Sequence, residues 1–367
     1  MSAEALGASG VATTDLHSAR RRAQIYRLAC GMTLSSGVAF GFAWPLSFIT
    51  PVLTAKLLSL PKVMSFKASL AFVAVISGAF ILSARLLLPT LSYPAVHLLV
   101  MALILFLIFY ARAGGTKPVV VVFLLMGVLV VPLIGTVSES LAIGVSNGLI
   151  FATIVAVATT YVAAAVFPDP PGVGPTVAAE REDVGGGEDA GAAEGEGDAV
   201  PSPRLRTAMA LRSLVVLYPI VIVSQMFSMT DFMVVLIFAS LLTMEPTFGT
   251  HLAAGKGLVL ANLAGGLVAV VIYELLVMVP AFAFLLLLVL LAGLWVGGWI
   301  FSDRPLGKLL GAGITTLFIV LGPTLMGDAE AGTNLFIRLF MIMGAVVYVV
   351  LAFGLLERLT RGRRMTA

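Results

Sequence analysis

The sequence predicts an all-α polytopic membrane protein in which two parallel six-helix transmembrane repeats are joined by a disordered acidic linker. The first observation is composition: 60% of the 367 residues are hydrophobic and 11% are charged, whereas soluble domains carry roughly 25% charged residues. The second is a series of twelve apolar stretches, and the third is a set of landmarks that recurs in both halves. This composition excludes a soluble enzyme and a disordered chain, and the single Cys30 excludes a disulfide scaffold.

The lengths of the apolar stretches predict the transmembrane spans. A transmembrane helix needs about 20 mostly apolar residues to cross a hydrocarbon core of about 30 Å. Six such stretches precede the acidic segment and six follow it. The predicted spans are 25–43, 46–60, 68–90, 95–111, 118–136 and 141–166, then 207–226, 231–245, 255–275, 280–301, 307–326 and 333–356.

The basic residues predict the orientation. With the N-terminus inside, every Lys and Arg except Arg85 and Arg338 falls in a cytoplasmic segment or at an inner helix end. Basic residues are retained on the cytoplasmic side, so we expect a bacterial inner-membrane protein with both termini cytoplasmic. Spans 46–60 and 231–245 are short and a re-entrant path is the alternative for them. Crossing is favoured, because a re-entrant path would move Lys67 and Lys256 outside.

Composition also divides the chain into segments. The linker is rich in Gly, Ala and Glu and contains nine of the nineteen acidic residues, so it buries too little apolar surface to fold. Docking of a partner on its acidic residues is the alternative interpretation. The predicted segments are an N-terminal cytoplasmic segment (1–24), the first repeat (25–166), the linker (167–203), the second repeat (204–357) and a basic cytoplasmic tail (358–367).

Matching landmarks indicate an internal duplication. Because each half has an even number of spans, both halves enter the membrane from the same side, which predicts parallel repeats. The intervals Pro132–Glu139–Asn147 equal Pro323–Glu330–Arg338, the interval Lys67–Arg85 equals Lys256–Glu274, and each short span ends in a proline. The matched pairs are Pro132 with Pro323, Glu139 with Glu330, Asn147 with Arg338, Lys67 with Lys256, Arg85 with Glu274, and Pro61 with Pro246.

The two short spans point to the binding region, since broken helices at matched places of two repeats are typical of transporter sites. Pro51 is expected in the middle of the second span, where it would free backbone groups for a neighbour, water or ligand. Arg85 and Arg338, with Asn147 at the place matching Arg338, are the candidate residues for binding an anionic substrate. The alternative is that both arginines reach the outer headgroups or pair with Glu274 and Glu330.

Carboxylates near the predicted outer face could couple transport to protons. The candidates are Asp231, Glu274, Glu139 and Glu330, and the alternative for each is a solvated loop charge. No phosphate-binding loop, nucleophile elbow or metal-spaced histidine pair occurs in the sequence. We therefore predict no enzymatic activity, no catalytic residue, no metal and no cofactor.

Several segments resemble a known family. Residues 27–34 (RLACGMTL), 43–46 (AWPL), 48–53 (FITPVL) and the later 302–305 (SDRP) are similar to the fusaric acid resistance and aromatic acid exporter superfamily. The resemblance implies an inner-membrane efflux component for aromatic carboxylic acids or similar amphipathic organic anions. It also implies a periplasmic membrane-fusion adaptor and an outer-membrane channel as partners. Larger members carry a substantial cytoplasmic domain where this chain has only the acidic linker.

The leading hypothesis is an exporter of an organic anion, coupled to an ion gradient. The first alternative is a passive organic-anion channel resembling the aluminium-activated malate channels, which are dimers of six-span subunits. The second is a non-transporting envelope scaffold. The expected surroundings are the lipid bilayer and a small organic anion; a homo-oligomer stays open, and no nucleic acid is expected.

Overall fold

A computed structural model describes residues 3–60, 63–116, 118–168, 202–229, 232–243, 248–302 and 305–325, and part of 336–355. These residues form helices and no strand, so the all-α fold is confirmed. The helices are α1 (Ala3–Phe42), α2 (Ile49–Ser59), α3 (Phe66–Leu87), the 3-10 helix η1 (Leu88–Ser92), α4 (Pro94–Ala113), α5 (Pro118–Gly135), α6 (Glu139–Val166), α7 (Pro203–Met226), α8 (Met233–Leu242), α9 (Phe248–Met278), α10 (Phe282–Ile300) and α11 (Pro305–Leu325); residues 343–349 are also helical.

Six helical segments of the described chain are long and apolar enough to cross a membrane, which confirms a polytopic membrane protein. Every predicted span overlaps a helix, but α2 and parts of α5 and α11 form only shorter apolar helices. The number of twelve crossings, the orientation and the membrane in which the protein resides stay predictions. The six long segments are Phe66–Ser92, α4, α6, α7, Val259–Met278 of α9, and α10.

Proline and glycine mark several helix ends. The helices α4, α5, α7 and α11 each begin on a proline. At this position the missing N–H has no intrahelical partner to lose, and the fixed φ suits a helix. After α4, Gly114 caps the last carbonyls and Gly115 has a φ of +96°. A left-handed residue ends the helix, and glycine adopts it without a Cβ clash.

The helices α2 and α8 are shorter than the predicted spans. They contain 11 and 10 residues, or about 16 and 15 Å, roughly half of the hydrocarbon thickness. Residues 43–48 form turns, so α2 starts at Ile49. The prediction that Pro51 lies in mid-span is wrong: Pro51 is the third residue of α2, where a missing N–H breaks no helical hydrogen bond.

The described helices form two compact units. The first unit contains residues from Met1–Ser69, Phe151–Gly186 and Ala261–Gly332. Within it, α1 packs on α2 and α10, and α11 packs on the same two helices, so the four form a closed ring. The unit therefore joins the first two helices of the predicted first repeat to two later helices of the predicted second repeat.

The second unit contains residues from Leu70–Ile150, Gly187–Leu260 and Thr333–Ala367. Within it, α4 packs on α5 and α7, and α8 packs on the same two helices. These four helices also form a closed ring. Here α7 and α8 are the first two helices of the predicted second repeat, and α4 and α5 are two later helices of the predicted first repeat. The compact units do not coincide with the segments 25–166 and 204–357. The duplication stays a prediction, and the linker 169–201 and the tail 358–367 lie outside the described residues.

Small residues allow close helix contacts in the first unit. A Cβ on Gly293 of α10 would lie 2.8 Å from Ala29 Cα of α1, and one on Gly297 would lie 3.4 Å from Ile25 Cγ2. On α9, a Cβ on Gly265 would collide with the Gly313 carbonyl oxygen of α11. Beside that crossing, the Thr316 hydroxyl donates a hydrogen bond of 2.7 Å to Asn262 Oδ1. Backbones approach this closely only where side chains are absent.

Candidate functional site

Four of the predicted site residues have exposed side chains in the structure: Arg85, Glu139, Asn147 and Glu274. Arg85 lies in the last turn of α3, and Glu139 is the first residue of α6. Within the described chain, no hydrogen bond or ion pair holds Arg85. Their roles in substrate binding or proton coupling stay predictions. Arg338, Asp231 and Glu330 lie outside the described residues.

The turn between α1 and α2 in the first unit contains buried polar groups without partners. We call residues 43–50 the α1–α2 junction. Its backbone is satisfied locally: the N–H groups of Ser47 and Thr50 donate to the carbonyls of Trp44 and Ser47, each at 3.0 Å. The hydroxyls of Ser47 and Thr50 and the indole Nε1 of Trp44 are buried without a hydrogen-bond partner in the described structure. Ser47 and Thr50 are fully buried.

Neighbouring hydroxyls show what a satisfied group looks like in this unit. On α2, the Thr54 hydroxyl lies 2.9 Å from the Thr50 carbonyl oxygen and 3.1 Å from Thr159 Oγ1. On α1, Ser35 donates to the Met32 carbonyl oxygen, whereas the adjacent Ser36 hydroxyl is buried and unpartnered. Ser35 and Thr54 are thus satisfied by helix carbonyls, whereas Ser36 and the two hydroxyls of the junction have no partner among the described residues.

The α1–α2 junction also contains two aromatic residues. The Trp44 ring meets Phe151 edge to face, with centroids 4.8 Å apart and an interplanar angle of 80°. Phe48 is buried and its ring lies directly over Gly322 of α11, where a Cβ would collide with it. The junction therefore contains buried hydrogen-bonding groups and aromatic residues within eight positions of the chain, the residue types that recognise an amphipathic aromatic ligand.

The chemistry of the unpaired atoms favours an acceptor ligand. An indole N–H can only donate, and each hydroxyl can donate one proton. A carboxylate accepts hydrogen bonds only, and bonds to a charged partner contribute about 1.5–3 kcal/mol each. Leaving a buried hydroxyl unpaired costs about 1–3 kcal/mol. Three such groups in one turn are a destabilising feature that a bound carboxylate would offset.

The structure yields a stability prediction with a matched control. Thr50→Val removes an unpaired buried hydroxyl at constant shape, so we expect the free energy of unfolding to rise by about 1 kcal/mol. Thr54→Val removes a hydroxyl that is bonded on two sides, so we expect a fall of about 1 kcal/mol. Thermal unfolding of the two purified variants in one detergent measures both effects. A lower melting temperature in Thr50→Val would show that this hydroxyl has a partner in the free protein.

The last turn of α7, before α8 in the second unit, also contains an unpaired polar group. Gln225 is 7% exposed, and neither its amide nitrogen nor its amide oxygen has a hydrogen-bond partner in the described structure. The neighbouring Ser224 hydroxyl is satisfied by the Val221 carbonyl oxygen at 3.0 Å. Ser228 and Ala43, just past the ends of α7 and α1, have φ values of +50° and +47°. Positive φ is uncommon outside glycine, so each of these helices is followed by a residue in the left-handed region.

Sequence reasoning missed Trp44, Ser47, Thr50 and Gln225. The signal in the sequence was the row of Ser and Thr around a short apolar stretch, but helical hydroxyls usually bond to a carbonyl in the preceding turn. Only the fold distinguishes a satisfied hydroxyl from an unpaired one. Charged residues can be identified as candidates from sequence, because a charge in a membrane is energetically costly. A serine or threonine hydroxyl has no comparable signal.

Two other polar features of the first unit are satisfied or too small for a substrate. Arg27 is 5% exposed, and its Nε and Nη2 donate to the Phe167 carbonyl oxygen at 3.1 and 2.8 Å, tying the end of α6 to α1. A cavity beside Ser69, Thr160 and Tyr161 has a volume of about 10 Å³, enough for a single water. The Tyr161 hydroxyl hydrogen-bonds to Ser69 Oγ there, at 2.9 Å.

The fold and these polar turns define an α-helical polytopic membrane protein. A family model described as "Protein of unknown function (DUF2955)" matches residues 24–163, from α1 to the last turn of α6. No curated protein and no solved structure matches this chain. The description of the matched family states no activity, so the resemblance to the aromatic acid exporter superfamily stays a prediction.

Proposed function

We propose that the protein is an inner-membrane exporter of aromatic carboxylic acids or similar amphipathic organic anions, driven by an ion gradient. The observation that carries the proposal is the α1–α2 junction, where the Trp44 N–H and the hydroxyls of Ser47 and Thr50 are buried and have no partner among the described residues. These donors fit a carboxylate, and the rings of Trp44 and Phe48 fit the aromatic body of the same ligand.

Other observations support transport. In the described chain, six helical segments are long and apolar enough to cross a membrane. The junction lies where the sequence places a short, broken span, the usual location of a transporter site. A periplasmic adaptor and an outer-membrane channel, implied by the resemblance, are proposed partners.

The proposal also assigns a role to Arg85, Arg338 and Asn147, the residues predicted to bind an anionic substrate. Arg85 has an exposed guanidinium in the last turn of α3, the end that the predicted topology places outside. An exposed cation attracts anions over about a Debye length, roughly 8 Å at physiological ionic strength. We propose that the two cations, Arg85 and Arg338, raise the local concentration of the anion, and that the neutral Asn147 contributes to binding by hydrogen bonding.

Proteoliposomes test the proposed function. Purified full-length protein should accumulate labelled 4-hydroxybenzoate above equilibrium when a pH gradient is imposed, and a protonophore should abolish the accumulation. The control probe is 4-hydroxybenzyl alcohol, which keeps the ring and lacks the carboxylate, and it should not accumulate. Flux of the acid that only follows its electrochemical gradient would favour the anion channel. Absence of flux for a panel of aromatic acids would contradict both transport hypotheses and favour the scaffold.

A further inference from the structure

One buried titratable side chain of the second unit has a ring nitrogen that the fold leaves unused. His97 lies in the first turn of α4 and is 3% exposed. Its Nδ1 lies 2.8 Å from the hydroxyl oxygen of Thr90 in η1. Its Nε2 is buried and has no hydrogen-bond partner in the described structure.

The hydrogen bond that the Thr90 hydroxyl donates determines which ring nitrogen of His97 carries the proton. The Thr90 hydroxyl donates its single proton to the Leu87 carbonyl oxygen at 2.7 Å. It can therefore only accept from His97, so Nδ1 carries the proton of the neutral ring. Nε2 then presents a bare lone pair in a buried place, which is the group that binds a proton.

Few charged or titratable groups surround this nitrogen. The elements packed on α4 are η1, α5 and α7; η1 and α5 contain no titratable residue. On α7, Tyr218 donates to the Leu98 carbonyl oxygen at 2.8 Å. Tyr348, from the last helical stretch, bonds to Val216 of α7. Among the described residues, the other titratable groups on these elements or at their ends are Tyr110 and Arg112 at the far end of α4, exposed Arg85, Tyr93 and Glu139, and Arg204, Arg206 and Arg212 in the first half of α7.

The packing of α4 on α7 places His97 at the same end as a second unpaired group. Gly114, at the C-terminal end of α4, lies beside Arg206 near the start of α7, whereas Leu98 accepts from Tyr218 farther along it. The two helices are therefore antiparallel. Gln225 is seven residues beyond Tyr218, which puts it on the same face of α7, toward the end where α4 begins.

We propose that His97 Nε2 binds and releases the proton that couples transport to the pH gradient, an inference that rests on the proposed function. A proton from water adds to the lone pair and forms an imidazolium, whose Nδ1–H stays bonded to Thr90. Release of this proton to water on the opposite side of the membrane breaks the Nε2–H bond and restores the neutral ring. The buried imidazolium of His97 exists only in one part of the transport cycle. Movement of the proton is therefore linked to movement of the substrate.

Two variants separate coupling from folding. His97→Asn keeps an N–H that can donate to Thr90 but cannot bind a proton, so proteoliposomes should lose accumulation above equilibrium while downhill exchange of 4-hydroxybenzoate continues. Thr90→Val keeps the imidazole and removes the bond to Nδ1, so accumulation should persist with a shifted pH profile. Wild-type accumulation in His97→Asn would overturn the proposal and leave the exporter function standing.

Nitrogen NMR provides a readout that is independent of transport. The chain has three histidines, so comparison with His97→Asn assigns the signals of His97 in 15N-labelled full-length protein. We expect the Nδ1–H form at high pH and conversion to the imidazolium as the pH falls. A ring protonated at Nε2 instead, or one that stays neutral down to the pH at which the protein unfolds, would overturn the proposal. If no aromatic acid is transported, a titrating His97 still supports the proton site and only the substrate assignment fails.

Discussion

Replacement of Gly265 by leucine is expected to abolish folded protein. A Cβ at this position would collide with the Gly313 carbonyl oxygen, and one at Gly313 would lie 2.8 Å from the Ala261 carbonyl oxygen. The backbones of α9 and α11 therefore touch, and the Thr316–Asn262 hydrogen bond joins the two helices beside this contact. Overpacking a core usually costs about 1–3 kcal/mol, but here a branched side chain meets backbone, which cannot rotate away.

Size-exclusion chromatography in detergent measures this effect. Gly265→Leu should give aggregate or no recoverable protein, and Gly265→Ala should lower the melting temperature. The matched control is Gly298→Leu on α10, because the described structure has open space around a Cβ there. Gly298→Leu should elute as wild type does. A monodisperse Gly265→Leu protein with an unchanged melting temperature would show that α9 and α11 do not cross at these glycines.

The second large effect is expected at the α1–α2 junction. In the double variant Ser47→Ala/Thr50→Val, export of 4-hydroxybenzoate should fall at least about a hundredfold. Each lost bond to a carboxylate costs about 1.5–3 kcal/mol, and every 1.4 kcal/mol is a factor of about ten. Trp44→Phe keeps an aromatic ring and removes one N–H donor, so export of 4-hydroxybenzoate by this variant should fall about tenfold.

The control for this experiment is Ser35→Ala/Thr54→Val. It removes one serine and one threonine hydroxyl from α1 and α2, the helices on either side of the junction, and both hydroxyls are already bonded to protein. This control should lower stability and leave the rate of export per folded molecule nearly unchanged. Equal loss of export in the two double variants would assign the effect to packing of α1 on α2 and would contradict a ligand role for Ser47 and Thr50.

The helices themselves were predictable from the sequence. Apolar stretches near the required length set their approximate positions, and prolines at the starts of α4, α5, α7 and α11 fix where those helices begin. The short length of α2 was only partly predictable. Residues 43–48 are as apolar as the helix that follows, so hydropathy cannot separate a turn with positive φ at Ala43 and Leu46 from the start of a span.

The sequence indicated the region of the candidate site but not the residues that form it. Matched short spans indicated the region of α2 and α8, and the α1–α2 junction lies at its edge. The exposure of Arg85, Glu139, Asn147 and Glu274 was not predictable, because a charge near a helix end has the same sequence pattern whether it faces a cavity or the headgroups. The pairing of α1 and α2 with α10 and α11 depends on contacts between residues far apart in the chain, which hydropathy does not encode.

The central claim is that the α1–α2 junction binds an aromatic carboxylate, and equilibrium dialysis of labelled 4-hydroxybenzoate against purified full-length protein tests it most directly. Wild-type protein and Ser35→Ala/Thr54→Val should bind with similar affinity, and unlabelled 4-hydroxybenzyl alcohol should not compete. Ser47→Ala/Thr50→Val should bind at least about a hundredfold more weakly. Equal affinity of this variant and the wild type, with both proteins folded and monodisperse, would contradict the claim.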